Sequence, residues 1–395
     1  MPWKETDVWD ERSEFIHEWK SGDRKMAELC RIYGVSRKTG YKWVERYEAK
    51  GLEGLRDLSR APQCHPNEIA EEIEEEILAL REKHSRWGAR KIRAWLEQAH
   101  PRIGTPSAST IGSILKRNGL TVSRKPRGLA RPASEPLAHA DGPNRVWCAD
   151  FKGWFRTGDG KRIDPLTITD AYSRYLLKCQ AVASADALHS KPIFEAAFRE
   201  YGLPERIRTD NGAPFGSNGD SGLTRLSVWW IKLGIWPERI EPGKPEQNGR
   251  HERMHRTLKE ATAAPPAANR RRQQESFDEF QREYNDQRPH EALGQVPPVH
   301  WYRHSACGYP ERMIEPEYPG EWEKRRVARG GQFRWRSGLV FAGHALEGEV
   351  VGLEPIEDEC WWVWFSFYGV GVLDRSGKIW RPDKWIKRQQ KAGKA

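Results

Sequence analysis

Residues 145–182 read RVWCADFKGWFRTGDGKRIDPLTITDAYSRYLLKCQAV, and this stretch decides the fold. It supplies three β-rich runs, and the first two are joined by GDGKR, an Asp-Gly sequence typical of a hairpin turn. Next come a helical pattern at 186–201, an apolar strand ERIRTD, and helical patterns at 223–233 and about 249–262. Three antiparallel strands followed by helix, strand and helix predict an α/β domain with a mixed sheet, over residues 144–305 once one more helix (276–288) is included.

The residues before this domain are predicted to be helical. Short helices are expected at 13–19, 24–33 and 36–49, with a Gly-Val turn before the third and Ser36 as its N-cap. Helix, tight turn and helix predict a helix-turn-helix within residues 1–62. A reader of the major groove carries basic residues on its second helix, and here these are Arg37, Lys38, Lys42 and Arg46. The alternative is a three-helix bundle with a charged face.

A second helical unit is predicted at residues 63–120. SRWGARKIRAWLEQA and PSASTIGSILKRNGL are amphipathic around a Pro-bounded loop, which favours another helix-turn-helix. Its expected phosphate contacts are Arg90, Lys91, Arg93, Lys116 and Arg117. Residues 121–143 lose all periodicity and are Pro-rich and basic, as a linker is.

The tail, residues 320–395, is again β-rich. It contains seven of the 19 tryptophans, and its stretch 324–346 has six basic residues and no acid. This composition predicts a small β-barrel that assists DNA or subunit contact. A packing domain with a solvated basic face fits it equally well.

Composition excludes several classes of protein. Lys and Arg number 66 against 56 Asp and Glu, a net charge of +10, which favours an anionic partner. No apolar run is long enough for a membrane span, and the N-terminus lacks a signal-peptide pattern. The six cysteines are far apart with no CxxC pair, so that neither a disulfide framework nor a cysteine zinc site is expected.

Three acids in the α/β domain stand where a metal site could form. Asp150 is in mid-strand, Asp210 ends a strand before Asn-Gly, and Glu252 lies in the first turns of a helix. Acids in this order can converge at one edge of a sheet, where their mutual repulsion favours a bound cation. Carboxylate oxygens select Mg²⁺ or Mn²⁺, and two such ions can clamp the attacking and leaving oxygens of a phosphodiester.

The motifs WCADFK, TITDAYSRY, RTDNG and PEQNGRHERMHRTLKE together resemble the integrase core of bacterial insertion-sequence transposases of the retroviral-integrase-like DDE class. Residues 34–59 and YNDQRPHEALGQVPPVHWY resemble that family's N-terminal helix-turn-helix and its post-core helix. The resemblance implies a ribonuclease-H-like core that nicks transposon ends and joins the freed 3′-hydroxyl to target DNA. It implies Asp150, Asp210 and Glu252 as catalytic ligands of Mg²⁺ or Mn²⁺, and a structural role for Asp170.

The expected partner is double-stranded DNA, both transposon ends and target, bound by a homo-oligomer in the bacterial cytoplasm at the nucleoid. The helix after the PEQNG loop is basic along most of its length. Its expected DNA contacts are Arg253, Arg256 and Lys259.

Two positions depart from or test the resemblance. Gly40 stands in the recognition helix where the family has a β-branched residue, at a cost to the helix of about 1 kcal/mol relative to Ala. Glu246 lies 36 positions after Asp210, a separation familiar from retroviral integrases, but it falls in a Pro- and Gly-bounded loop. A loop holds a metal ligand loosely. We therefore assign the third acid to Glu252, three residues after Gly249.

Two other functions are compatible with parts of the sequence. His251-Glu252-Arg253-Met254-His255 matches HExxH, the zinc-protease helix. Such a helix usually has apolar neighbours, whereas GRHERMHRTLKE is basic, so that nucleic-acid chemistry is favoured. A transposase relative that has lost catalysis and acts as a DNA-binding regulator is the main alternative.

Overall fold

The computed structural model describes residues 7–58, 69–102, 104–121, 139–217, 219, 221–241, 249–356 and 359–392. The chain divides into two compact units, Met1–Glu71 and Glu72–Ala395. Most of the predicted linker and the alternative acid Glu246 lie outside the described residues. In the ranges described, no helix is both long and apolar enough to cross a membrane.

The first unit contains three helices, as predicted: α1 (Val8–Ser21), α2 (Met26–Ile32) and α3 (Arg37–Lys50), followed by a 3-10 turn (Gly51–Leu55). Ser36 caps α3, since its hydroxyl accepts the backbone N–H of Thr39 at 3.1 Å. The unit has its own apolar core, formed by Phe15, Ile16, Leu29, Cys30, Trp43, Val44 and Leu55.

Gly40 has a packing reason to be glycine. It is buried in α3, and a Cβ at this position would lie 2.6 Å from Cys30 Sγ and 3.1 Å from the Phe15 ring. The missing side chain therefore lets α3 approach α2 closely, which offsets the poor helix propensity of glycine.

The second unit begins with three further helices: α4 (Glu71–Lys83), α5 (Ala89–Ala99) and α6 (Ala108–Arg117). They bury one apolar stripe each, and Trp87, just before α5, is fully buried. The predicted helices are thus present, but they belong to the same compact unit as the α/β core.

The core sheet has six strands: β1 (Val146–Phe151), β2 (Phe155–Arg156), β3 (Arg162–Asp170), β4 (Leu176–Val182), β5 (Arg206–Thr209) and β6 (Trp236–Arg239). Their order is β2-β3-β1-β5-β6, with β4 also paired to β3. β1–β3 and β3–β4 are antiparallel, whereas β1–β5 and β5–β6 are parallel, which confirms the predicted mixed sheet. The sequence did not suggest β6, because WPER is short and contains a proline. An edge strand tolerates that residue.

Helices cover both faces of this sheet: α7 (Ala187–Tyr201), α8 (Arg225–Lys232), α9 (Gly249–Thr262) and α10 (Arg270–Arg282), which continues as a π-helical turn (Glu283–Gln287). α7 and α8 pack on the face that carries Trp147 and Ala149. α9 and α10 form a second apolar cluster on the other side, through Met254, Leu258, Phe277 and Phe280.

The tail contains seven strands and one helix: β7 (Glu323–Arg326), β8 (Gln332–Trp335), β9 (Gly338–Phe341), β10 (Val350–Ile356), β11 (Cys360–Phe365), β12 (Tyr368–Leu373), β13 (Ile379–Trp380) and α11 (Pro382–Ala392). Five of them form an antiparallel sheet of order β13-β12-β11-β10-β7, and β8–β9 is a hairpin. These ladders confirm the strands of the expected barrel, but they do not close into one among the residues described. The apolar cluster of the tail also includes Val228 and Ile231 of α8.

Candidate active site

Asp150 and Asp210 lie at the same edge of the core sheet. In the parallel pair β1–β5, Cys148 is opposite Arg208. Asp150 comes two residues after Cys148 in β1 and shares its face, and Asp210 comes two residues after Arg208, just beyond the end of β5. Strand register therefore places two of the three predicted acids at the same end of neighbouring strands.

The environments of these two carboxylates differ. The Asp150 side chain is 17% exposed, and its Oδ2 lies 3.8 Å from His255 Nδ1. Burial raises the pKa of Asp210, while a hydrogen bond from the Gly212 backbone N–H opposes the rise. A half-buried carboxylate of this kind gains stability when a cation shares its site.

α9 lies over the same face and presents its two histidines to the sheet. His251 and His255 are 3% and 5% exposed, whereas Glu252 between them is exposed. The third predicted acid is thus accessible to solvent, beside two buried histidines.

The two histidine rings meet at Thr167, which is directly opposite Asp150 in the β1–β3 pair. Thr167 Oγ1 is 2.6 Å from Nε2 of each ring, and Thr169 Oγ1 is 3.2 Å from His251 Nδ1. A hydroxyl has one proton to donate, so at least one ring must donate its N–H to Thr167. This network fixes where α9 sits on the sheet.

Both rings are neutral in the folded protein. Burial lowers the pKa of His251 to about 3. Burial, with smaller contributions from His251 and Lys152, holds the pKa of His255 well below its usual range. The Thr167 hydroxyl lies 3.2 Å from the Asp150 backbone carbonyl, to which it donates, so that a neutral ring protonated at Nε2 can donate to its oxygen.

One group of three potential metal ligands is compact within the part of the chain that the structure describes. Atoms of Asp150, His251 and His255 all lie within 4.8 Å of one another. The oxygens of Asp150, Asp210 and Glu252 do not form so tight a group, although the first two suit a hard divalent cation by their chemistry.

The zinc-protease interpretation of HExxH fits this geometry poorly. A catalytic zinc keeps an open position for water and substrate, yet both Nε2 atoms are directed at a buried hydroxyl. The i, i+4 histidine pair was visible in the sequence. Its role in packing α9 was not, because the alternating threonines of β3 carry no chemical signature by themselves.

Asp170 has the structural role expected of it. It is fully buried and accepts hydrogen bonds from the backbone N–H of Asn144 (2.8 Å) and of Ser173 (2.7 Å). It therefore closes the turn after β3.

The predicted DNA contacts of α3 lie on its surface. Arg37, Lys38 and Lys42 are exposed, and Arg46 is half-buried with its guanidinium 4.6 Å from the centre of the Trp43 ring. This face is available to a partner.

The predicted contacts of the second helical unit are partly engaged within the chain. Arg90 pairs with Glu291 at 3.1 Å, and Arg117 pairs with Glu74 at 2.6 Å. Lys91 is half-buried and donates to the Pro289 carbonyl. Arg93 is exposed and pairs with Glu97 on its own helix at 2.9 Å. The exposed basic residues among the remaining candidates are Lys116, Arg253, Arg256 and Lys259.

Comparison with known families identifies both kinds of domain. The Helix-turn-helix domain family matches residues 11–63, and the Homeodomain-like domain family matches residues 39–115. Two Integrase core domain families match residues 140–245 and 233–298. The match of the last one includes α9.

Curated relatives come from bacterial insertion elements. The chain is 27% identical to the Insertion element IS407 uncharacterized 31.7 kDa protein of Burkholderia multivorans, over 68% of this chain and 87% of that protein. It is 26% identical to the transposase InsD for insertion element IS2D of Escherichia coli strain K12, over 56% of this chain and 75% of that protein.

A search of solved structures finds the HTLV-2 integrase catalytic core domain in complex with magnesium, at a TM-score of 0.33 and 15% identity. That match covers 41% of this chain and 99% of the integrase domain.

Proposed function

We propose that this chain, which resembles the integrase-like transposases of bacterial insertion sequences, is a DNA transposase that nicks transposon ends and transfers their 3′-hydroxyls into target DNA. The observation that supports this most directly is the parallel register of β1 and β5, in which the strand that carries Asp150 lies beside the strand that ends just before Asp210. Paired carboxylates at a sheet edge, beside a basic helix, suit divalent-metal chemistry on a phosphodiester.

In this proposal Asp150, Asp210 and Glu252 hold Mg²⁺ or Mn²⁺ as two ions. Such ions, when bound, supply a clamp for the attacking and leaving oxygens of the phosphodiester. Thr167 and His255 position the site from behind, since the ring of His255 faces the Asp150 carboxylate and is held by the Thr167 hydroxyl. Arg253, Arg256 and Lys259 give α9 a positive outer side that attracts the DNA backbone.

The decisive experiment compares three glutamates in the full chain. Glu252→Gln is expected to abolish Mg²⁺-dependent nicking of a transposon-end duplex while DNA binding in a shift assay stays intact. Glu246→Gln is expected to cost far less. Glu260→Gln is the matched control, because Glu260 is exposed two turns further along α9.

Three results would contradict the proposal. A larger loss for Glu246→Gln would show that the third acid is misassigned. Wild-type protein that binds ends but never nicks them would favour the DNA-binding regulator. Stoichiometric zinc in the purified protein would revive the protease interpretation.

The remaining assignments follow from the same proposal. We infer that the tail is a barrel-like domain that assists DNA or subunit contact, and that the protein acts on DNA as a homo-oligomer. Its site of action is the bacterial cytoplasm, at the nucleoid. Deleting the tail is expected to weaken strand joining in an assay that scores joined products separately from nicked ones.

A further inference from the structure

Four cationic side chains surround the contacting rings of Tyr284 and His290, whose centres are 4.6 Å apart, where α5, the β3–β4 turn, α9 and the segment after α10 meet. They are Lys91, Arg174, Arg253 and Arg288. The segments are held together by their own contacts. Lys91 donates to the Pro289 carbonyl, and the Asn285 side chain accepts from and donates to the backbone of Leu176 at 2.8 and 2.9 Å.

Burial and neighbouring positive charges both act on this cluster, and the acids Glu283 and Glu291 oppose them only in part. Burial lowers the pKa of Lys91 to about 7, and the positive charges of Arg288 and Arg253 contribute to the fall. The pKa of Arg174 is lowered to about 10 by burial, with Arg250 adding to it. Burial also lowers the pKa of Arg288, and the positive charge of Arg253 lowers it further.

The acids nearby have other partners. Glu283 accepts from the Trp87 indole at 3.0 Å and lies 3.1 Å from His84 Nδ1. Glu291 pairs with Arg90. In the described part of the chain, none of the four cations forms a salt bridge with a carboxylate, and Arg174 Nε is buried with no hydrogen-bond partner.

Half-buried cations that no carboxylate contacts directly cost free energy, and an anion that binds among them would offset that cost. Lys91, Arg174 and Arg288 come from separate, well-packed segments, and the exposed Arg253 is the residue after Glu252 on α9. We propose that Lys91, Arg174, Arg253 and Arg288 form a phosphate-binding site that takes one backbone phosphate of DNA. This deepens the proposed function and rests on it for the identity of the phosphate's source.

The site lets two parts of the second unit contact the same phosphate, since Lys91 comes from α5 and Arg253 from α9, the helix that carries Glu252. Phosphate contacts position a protein on DNA without reading its sequence. The site therefore sets the register between the DNA and α9, whatever the end sequence is.

The test uses the full chain without divalent metal and two unrelated duplexes of equal length. Arg288→Met is expected to weaken both duplexes about tenfold, the loss of one charge-assisted hydrogen bond. It should also reduce the slope of log affinity against log salt by about 1. Arg282→Met is the control, because this substitution removes the same charge from an exposed arginine on nearby α10.

Thermal unfolding supplies a second measurement. In chloride, Arg288→Met is expected to melt at a higher temperature than wild type, because it relieves repulsion. Inorganic phosphate at matched ionic strength should stabilise wild type and Arg282→Met but not Arg288→Met. An arginine with a merely structural role would give the opposite result, a lower melting temperature in chloride.

Each other outcome overturns the site. If the salt slope is unchanged for both Arg288→Met and Lys91→Met, the site does not bind a DNA phosphate. If inorganic phosphate stabilises the protein while the slope is unchanged, the site binds a free anion only. Failure of both variants to fold would show that these cations stabilise the free protein. Because the binding assay contains no metal, a wild-type protein that never nicks DNA would refute the proposed function without touching this result.

Discussion

The two helical regions, α1–α3 and α4–α6, have similar sequence patterns but pack in different ways. Both consist of short amphipathic helices with basic residues, and each was predicted to form a helix-turn-helix that contacts DNA. The first closes a core of its own around Phe15 and Leu29, and leaves Arg37, Lys38 and Lys42 exposed. In the second region, the indole N–H of Trp87 donates to the carboxylate of Glu283, which follows α10 of the α/β core.

This difference shows that the sequence of a basic amphipathic helix does not reveal whether its charged face contacts DNA or the rest of the chain. On α3 the charges face solvent, where the phosphate backbone and base edges of DNA can reach them. On α5 the same residue types meet acids and carbonyls of the segment 283–295, as Arg90 and Lys91 do. Docking within the chain thus uses part of the surface that a free helix would offer to DNA, and it places Lys91 among the cations of the proposed phosphate site.

The largest effect that separates the two regions is expected from their tryptophans. Trp87→Ala removes a fully buried indole, and we expect it to destabilise the larger unit by about 3–5 kcal/mol. Trp43→Ala, in the first unit, is the counterpart. Calorimetry should show each variant lowering a different transition. A single transition lowered by both would mean that the two units unfold as one.

Specific DNA binding should depend on the first region more than on the second. Arg37→Ala with Lys38→Ala is expected to reduce discrimination between end and random DNA by about 1–3 kcal/mol for each base that these side chains read. Arg90→Ala, whose guanidinium already pairs with Glu291, should change discrimination less. Competition shift assays at fixed salt measure both. Equal reductions would remove the distinction between the regions.

A pair of glycines inside helices sharpens the comparison. Gly40→Ala in α3 forces a Cβ to within 2.6 Å of Cys30 Sγ, and we expect a loss of about 1–3 kcal/mol from overpacking. Gly112→Ala in α6 meets only the Ala89 Cβ at 3.9 Å, so that helix propensity should give a gain of about 0.5–1 kcal/mol. Denaturant unfolding gives the signs, and a stabilising Gly40→Ala would show that the α2–α3 packing is looser than described.

The smallest expected effect is on the stability of the larger unit at acidic pH. Burial lowers the pKa of His84 in the fold, against the nearby Glu283, which raises it. A histidine with a lowered folded pKa contributes stability above its unfolded pKa of about 6.5, and that contribution is lost as the pH falls below this value. His84→Gln should therefore flatten the decline of stability of the larger unit below that pH, measured against wild type. An unchanged pH profile would show that α5 docking does not depend on this ring.

The local features of this protein were predictable from its residues. Strand and helix types follow from periodicities of two and about 3.6 residues, which is why β1, β3, α3 and α9 appear where expected. β6 was missed because Pro237 gives no strand signal, and its place depends on pairing with β5.

The candidate site was predictable only in part. Asp150 and Asp210 could be placed at one edge because parallel strands end together, and their register agrees. The inward turn of His251 and His255 toward Thr167 could not be inferred, since either face of α9 carries polar residues. Charge alone does not say which side of such a helix will be buried.

By itself, then, the sequence determined most of the helices and strands and their order along the chain, and the excess of positive charge. The tertiary structure alone decided that α5 is docked, that Gly40 is a close-packing position, and that four cations share one place. The physical reason is range. Periodicity and capping act within a few residues, whereas the contact of His84 with Glu283 joins residues 199 positions apart. Burial, and with it the pKa and the availability of each charge, follows from such distant contacts.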